Sequence, residues 1–212
     1  MAVLPLFPLN VALFPGAFLP LHIFEPRYRR LLADQVEAAH RFAIVPAGSD
    51  GGPPALGALG TIARIRAVQP LADGRSNIVV SGEGRIAIAA ILPTELPYLL
   101  AECEPHPDRG DAEVPSLDVG RLRDLGEQFA ELLAVLERGE GEREWSDDPA
   151  ILSFQIAALI DWDFPVQQRF LAIRSSAERV TRLLGALPGL ITSASGSARV
   201  HQRAVYNGTG QR

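Results

Sequence analysis

The sequence predicts an α+β fold, with a β-rich first half and a helical second half. Short apolar runs recur about every 8–12 residues as far as Cys103 and are joined by Gly and Asp turns, which favours a closed or nearly closed barrel. From Ser116 onward, Leu and Phe recur at steps of three and four residues, which is typical of amphipathic helices in a bundle. The stretch 108–115 between them is polar and has no pattern.

We therefore expect three parts along the chain. These are a β domain over residues 1–112, a helical domain over 113–190 and a polar, basic tail over 191–212. The tail follows the last acidic residue, Glu178, whereas arginines continue to the end of the chain.

Prolines occur repeatedly in the first forty residues. Pro5, Pro8, Pro15 and Pro20 each remove a backbone donor and fix φ, so that no long helix can form before residue 25. The dense apolar residues among them predict short, buried, extended segments. Proline suits the first helical position, because its missing N–H would be unpaired there, and Pro26 therefore predicts a helix to about Ala39.

Turn residues divide the remaining β region. Asp73-Gly74 is a strong hairpin signal, and Gly82 with Gly84 predicts a second turn. In the helical half, Asp148-Pro149 is expected to act as N-cap and first helical residue. The predicted strands of this β region are Leu59–Val68, Asn77–Val80, Arg85–Leu92 and Pro97–Cys103.

Composition excludes several classes of protein. The 212 residues are 47% hydrophobic and 21% charged, as in ordinary globular proteins. The only cysteine, Cys103, allows no intrachain disulfide and fits a reducing compartment, so we expect a cytoplasmic protein. No apolar run is long enough to span a bilayer, and we expect no membrane partner. The net charge of −5 argues against nucleic acid, which requires a basic face.

The segment PLFPLNVALFPGAFLPLHIFEPRYRRLL, which begins at Pro5, resembles the opening of the N-terminal, substrate-binding domain of Lon proteases. The similarity continues through Gly60-Thr61-Ile62-Ala63, Asp73-Gly74-Arg75 and Gly82-x-Gly84-Arg85-Ile86, although Ile86 stands where the family pattern has phenylalanine. The resemblance implies a PUA-like β-barrel domain followed by a C-terminal helical bundle.

The resemblance extends only to the binding domain. A full Lon protease carries an ATPase module, whose P-loop uses a lysine, and a protease module, whose serine is activated by a lysine. All 20 basic residues of this chain are arginine. We therefore expect a stand-alone Lon-like domain without those modules.

Other residues give no pattern for catalysis, a metal or a cofactor. The histidines at 22, 40, 106 and 201 show no metal-ligand spacing, and Cys103 with His106 supplies too few ligands for zinc. No G-x-S-x-G elbow is present. We expect no catalytic residues, no metal, no cofactor and no enzymatic activity.

The sequence instead favours a non-catalytic protein that binds unfolded or extended polypeptide, as an adaptor or regulator of proteolysis beside a separate protease or chaperone. The candidate binding residues surround the junction of the second strand and first helix, and they are Phe18, Leu19, Arg27, Tyr28 and Arg30. A purely structural role is the alternative: Glu25 and Arg27 would pin the junction, and Tyr28 would pack in the core.

Two other functions stay open at this level. PUA-like barrels also occur in RNA-binding proteins, and some Lon-like domains serve as adaptors that bind small molecules. The sequence does not identify the oligomeric state.

Overall fold

The computed structural model describes residues 1–48, 52–110, 113–137 and 144–208. In this part of the chain, no helix has the length and apolar character needed to cross a membrane. The strands are β1 Ala2–Leu9, β2 Phe18–Ile23, β3 Arg41–Pro46, β4 Leu59–Pro70, β5 Ser76–Leu92 and β6 Leu100–Pro105. The helices are α1 Pro26–Glu37, α2 Ser116–Glu137, α3 Pro149–Ala157, α4 Phe164–Leu171 and α5 Ser176–Gly208.

The strands form one six-stranded sheet in the order β2-β5-β4-β3-β1-β6, and β5 also pairs with β6. Strands β1 and β3 are parallel, whereas the other pairs are antiparallel. Strand β5 therefore pairs with β2, β4 and β6, and it holds the sheet together. The α+β class is confirmed, with six strands and five helices among the described residues.

The second turn predicted at Gly82 and Gly84 is wrong, because β5 runs through both residues without interruption. Gly82 instead allows another backbone segment to approach β5 closely. A Cβ atom there would collide with the carbonyl oxygen of Phe14, and Gly16 N donates to Gly82 O at 2.9 Å. A glycine within a strand commonly marks such an approach.

Helix α1 begins at Pro26, as the sequence predicts, and ends at Glu37. Its buried face consists of Tyr28, Leu31 and Leu32. These side chains belong to a core that also contains buried residues of β1, β2, β3, β4 and β5. Burying each large apolar side chain contributes about 1.5–3 kcal/mol, and this packing fixes the helix against the sheet.

The described chain forms two units. The first, the β unit, comprises Met1–Arg109 with Ile160–Arg174, and the second, the helical unit, comprises Gly110–Leu159 with Ser175–Arg212. Helix α4 thus groups with the strands, and α5 continues past residue 191, where the sequence placed the start of a tail. Residues 209–212 of that tail lie outside the described residues. The three-part division drawn from the sequence stays a prediction.

Within the helical unit, the predicted cap of α3 is confirmed. Asp148 Oδ1 accepts a hydrogen bond from Ala150 N at 2.8 Å, and Pro149 occupies the first turn. The unit also buries a cation. The Arg179 guanidinium donates to Ser153 Oγ at 2.9 Å and lies 4.0 Å from the centre of the Phe154 ring.

The β unit buries a second cation, Arg85, whose side chain is 3% exposed. Its guanidinium donates to the carbonyl oxygens of Leu171 at 2.6 Å and Ile173 at 2.7 Å, and it forms an ion pair with Asp108. A buried charge is tolerated only when it is paired and hydrogen-bonded. Arg85 therefore attaches the segment 160–174 to strand β5.

We expect Gly82→Ala to destabilise the β unit, because the new methyl group meets backbone that has no rotamer to change. A loss of about 2 kcal/mol in the free energy of unfolding is expected, as in other overpacked sites. Gly84→Ala is the matched control, since nothing lies within 4 Å of its Cβ position. Urea denaturation of both variants tests this, and equal midpoints would contradict the account of Gly82.

We expect Arg85→Gln to lower the free energy of unfolding of the β unit by about 3 kcal/mol, because it leaves Asp108 and the carbonyl groups without their cation. The fluorescence of Trp162, which packs against Phe170 in the same unit, reports the transition in a Trp145→Phe background. Arg75→Gln, at an exposed ion pair, is the control and should cost under about 1 kcal/mol. Equal losses in the two variants would show that Arg85 is not required.

Candidate functional site

The junction between β2 and α1 carries the candidate residues. Glu25 has an extended backbone, and its carbonyl oxygen accepts from the N–H groups of Tyr28 and Arg29, each at 3.0 Å. Its carboxylate does not cap the helix but pairs with Arg27 at 2.8 Å. The Glu25–Arg27 pair therefore fixes the side chains at the start of the helix.

Tyr28 is part of the core. It is 6% exposed, and its ring stacks on Phe7 with centroids 4.1 Å apart. The Arg27 guanidinium lies 4.5 Å from the centre of the Tyr28 ring, close enough for a cation–π interaction. Burial raises the pKa of the Tyr28 hydroxyl, and the nearby Arg27 cation partly opposes that rise. Tyr28 thus combines a structural role with a position below a surface cation.

Arg30, Asp34 and Tyr98 form a second polar group. Arg30 Nε donates to Asp34 Oδ1 at 2.8 Å, and the Tyr98 hydroxyl donates to Asp34 Oδ2 at 2.7 Å. These two donors lower the pKa of the Asp34 carboxyl, with Tyr98 the larger cause. Burial, followed by the hydrogen bond to Asp34, raises the pKa of Tyr98 to about 12. The group attaches helix α1 to the segment before β6.

Arg27 and Tyr28 line a cavity of 420 Å³ that we name the Tyr28 cavity. This volume lies within the range of ligand pockets, which is about 300–1,000 Å³. The wall is mainly apolar and proline-rich, with Pro8, Pro53, Ile91, Pro97, Tyr98 and Leu99 among its residues. Gly52 and Pro53 are the described end of the loop that follows Gly48, of which residues 49–51 lie outside the described residues.

The five predicted residues do not all line one cavity. Phe18 is 68% exposed on β2, which pairs with β5 at one edge of the sheet among the described strands, and Leu19 packs partly against the core. Neither residue lines the Tyr28 cavity. Arg30 lines a different cavity, of 550 Å³, between α1 and the β4–β5 hairpin, which we name the hairpin cleft. Arg27 and Tyr28 therefore line one cavity, Arg30 lines another, and Phe18 and Leu19 line neither.

From the sequence we did not identify the exposed Phe24 or the side chains on the two walls of the hairpin cleft. Phe24 is 59% exposed and stacks against His22, with ring centroids 6.0 Å apart. On α1, Arg29 and Val36 line the cleft, and their seven-residue spacing places them on one helical face. That spacing was available from the sequence. The position of Val68 opposite them was not, because it depends on how the hairpin folds back.

Metal chemistry has no support in the described residues. Within 1–48, 52–110, 113–137 and 144–208, no three His, Cys, Asp or Glu side chains are grouped so that they would hold a metal ion. Cys103 is 1% exposed, and burial raises the pKa of its thiol, which disfavours the reactive thiolate.

We expect Tyr98→Phe to remove a tyrosine ionisation step near pH 12. Because the folded-state pKa lies above the usual value of 10.0, the stabilisation from Tyr98 is complete below pH 10 and is lost as the pH rises to about 12. The variant should therefore lose less stability across this interval. Tyrosinate absorbance and urea midpoints at both ends of the interval measure these effects.

Asp34→Asn provides the companion measurement, since it removes the negative charge that Tyr98 faces while keeping an acceptor oxygen. The pKa of Tyr98 should fall only part of the way toward 10.0, because burial is the larger cause of its rise. An unchanged titration in both variants would contradict the assignment of this step to Tyr98.

Comparison with known proteins identifies the family. Residues 3–188 match the ATP-dependent protease La (LON) substrate-binding domain. A Lon protease of Anaeromyxobacter dehalogenans is 31% identical over 177 residues, which covers 79% of this chain and 20% of that protein. Lon protease 2 of Myxococcus xanthus is 29% identical over 176 residues, covering 79% of this chain and 21% of that protein. The chain spans about a fifth of the length of these relatives.

Solved structures show the same fold. A Lon N-terminal domain protein from Xanthomonas campestris superposes with a TM-score of 0.62 at 24% identity, covering 88% of this chain and 99% of that one. The N-terminal domain of the Mycobacterium avium complex Lon protease gives a TM-score of 0.61 at 19% identity, with coverage of 88% and 98%. The α+β architecture is thus that of Lon N-terminal domains. Because the family match extends over most of its length, the chain belongs to the LON substrate-binding domain family.

Proposed function

We propose that this chain recognises unfolded or extended polypeptide through the β unit. The observation that carries the proposal is the Tyr28 cavity, an apolar, proline-rich site of 420 Å³. Phe18 and Phe24, which are 68% and 59% exposed, add apolar surface on the adjoining strand and turn. Exposed apolar surface of this kind commonly marks a binding site.

The family supports a substrate-recognition role, and the finer role is our proposal. We propose that the chain does not cleave its clients but delivers them to, or regulates, a separate protease or chaperone. The support is chemical: its 20 basic residues are all arginine, so its own residues supply neither the P-loop lysine nor the protease lysine. A cytoplasmic location is part of the proposal, which the single buried thiol of Cys103 supports.

We also propose that the sheet closes into a PUA-like barrel. The order from β5 through β4, β3 and β1 to β6 returns to β5 through the β5–β6 pairing, which supports closure. Among the described strands, closure would leave β2 alone at an edge. We propose further that α2, α3 and α5 form a helical bundle, which the packing of α2 and α3 with α5 supports.

We expect the purified chain to bind a reduced, carboxymethylated model protein saturably and to ignore the native form of the same protein. Replacing both exposed phenylalanines, Phe18→Ser with Phe24→Ser, should weaken binding at least tenfold, because two rings that are each half buried by the client together contribute about 1.5 kcal/mol or more to binding. Fluorescence anisotropy of the labelled client measures the affinity.

Leu117→Ser is the matched control, since Leu117 is 83% exposed but belongs to the helical unit. It should bind as the unmodified chain does. Absence of saturable binding, or equal affinity for native and unfolded client, would overturn the proposed function.

A further inference from the structure

The three arginines at the start of α1 differ in their partners. Arg27 pairs with Glu25 at 2.8 Å, and Arg30 pairs with Asp34 at 2.8 Å. Within the described part of the chain, Arg29 has no carboxylate at salt-bridge distance and makes no hydrogen bond through its side chain. Arg29 is therefore the cation of this group that is available to a ligand.

The hairpin holds Arg29 in a defined place. Its guanidinium lies against Gly74, at the position that a Cβ atom would occupy. Gly74 has φ +79°, a backbone conformation that favours glycine. The absence of a side chain at Gly74 therefore permits both the tight turn and the close approach of Arg29. The neighbouring hairpin charges do not compete for Arg29, because Asp73 pairs with Arg75 at 2.6 Å.

Apolar side chains occupy the middle of the hairpin cleft. Val36 on α1 is 41% exposed and Val68 on β4 is 38% exposed, and both line the cleft with Pro26 and Ala33. Exposure of large apolar residues on both walls of one 550 Å³ cavity favours an occupant that carries apolar groups between them.

The far end of the cleft is acidic. Glu37 lines it and has no salt-bridge partner among the described residues. Along the helix axis, Arg29 and Glu37 are separated by about 12 Å, at 1.5 Å per residue. In an extended chain, which advances about 3.3 Å per residue, this distance corresponds to about four residues. Side chains four apart in a strand point to the same face.

We propose that the hairpin cleft binds an extended polypeptide segment in which an acidic and a basic residue stand four positions apart with apolar residues between them. The carboxylate would meet Arg29, whose guanidinium suits bidentate pairing, and the basic residue would meet Glu37. This inference rests on the proposed function and specifies the class of client. Glu37 and the net charge of −5 disfavour a nucleic acid, whose phosphates would be repelled at one end of the cleft.

The test measures the binding of labelled peptides by fluorescence anisotropy at low salt. Two peptides have a charged core, which is Asp-Leu-Val-Ala-Lys or the same residues in reverse order. The peptide for comparison has the neutral core Asn-Leu-Val-Ala-Gln. Whichever charged peptide has the higher affinity should bind about fivefold more tightly than the neutral peptide, as expected for partly exposed ion pairs. Arg29→Gln and Glu37→Gln should each reduce this preference, and so should added salt.

Arg169→Gln is the matched control, because Arg169 is an exposed arginine of the same unit that lines none of the cavities described above. It should leave the preference unchanged. Equal affinity for charged and neutral peptides, an unaltered preference in Arg29→Gln, or tighter binding of oligouridine than of the charged peptide would each overturn the proposal.

Capture of the unfolded model protein is measured in parallel, so that failure of the cleft assignment can be distinguished from failure of the proposed function. If the unmodified chain captures the unfolded protein but does not distinguish the peptides, the assignment of the hairpin cleft is wrong while the proposed function stands. If it captures no unfolded protein, the proposed function itself is wrong.

Discussion

The buried Arg85 guanidinium constrains the whole β unit, because a charge removed from water must be paired and hydrogen-bonded. A cation with a 3% exposed side chain requires several acceptors, and here they come from segments far apart in sequence: the carbonyl groups of Leu171 and Ile173, and the carboxylate of Asp108. Because Arg85 lies on β5, which pairs with β2, β4 and β6, this requirement attaches the returning segment to the centre of the sheet. Packing of Phe170 against Phe14 and a hydrogen bond from Ala12 N to Gln167 reinforce the attachment.

Helix α1 contributes to the core and also lines both proposed binding cavities. Its buried face, which includes Tyr28, belongs to the core, while its arginines project toward two separate cavities. Two of these arginines are neutralised by neighbouring carboxylates, so their charge contributes little to attraction of a ligand. The character of the surface is therefore decided less by the number of arginines than by which of them have partners.

Membership of the LON substrate-binding domain family and the two cavities of the β unit support the proposed recognition of polypeptide clients. The Tyr28 cavity is apolar and proline-rich, whereas the hairpin cleft has charge of opposite sign at its ends. Such a pair of sites would combine general affinity for exposed apolar groups with preference for particular charge spacing. Weak contacts at separate sites on one chain also add through effective concentration, which suits an extended client.

The sequence by itself determined the local structure, because proline, glycine and capping residues act on their own backbone: Pro26 set the start of α1, and Asp148 capped α3. It also determined the family, since uncommon combinations of residues occur along the chain in the same order as in the family. Only the tertiary structure decided what distant segments do to one another. Gly82, which looked like a turn, instead admits the Phe14 carbonyl to a continuous strand. Helix α4 groups with the sheet, to which Arg85, Phe14 and Ala12 attach it. The predicted binding residues line different cavities for the same reason, because the walls opposite them come from segments that are distant in sequence.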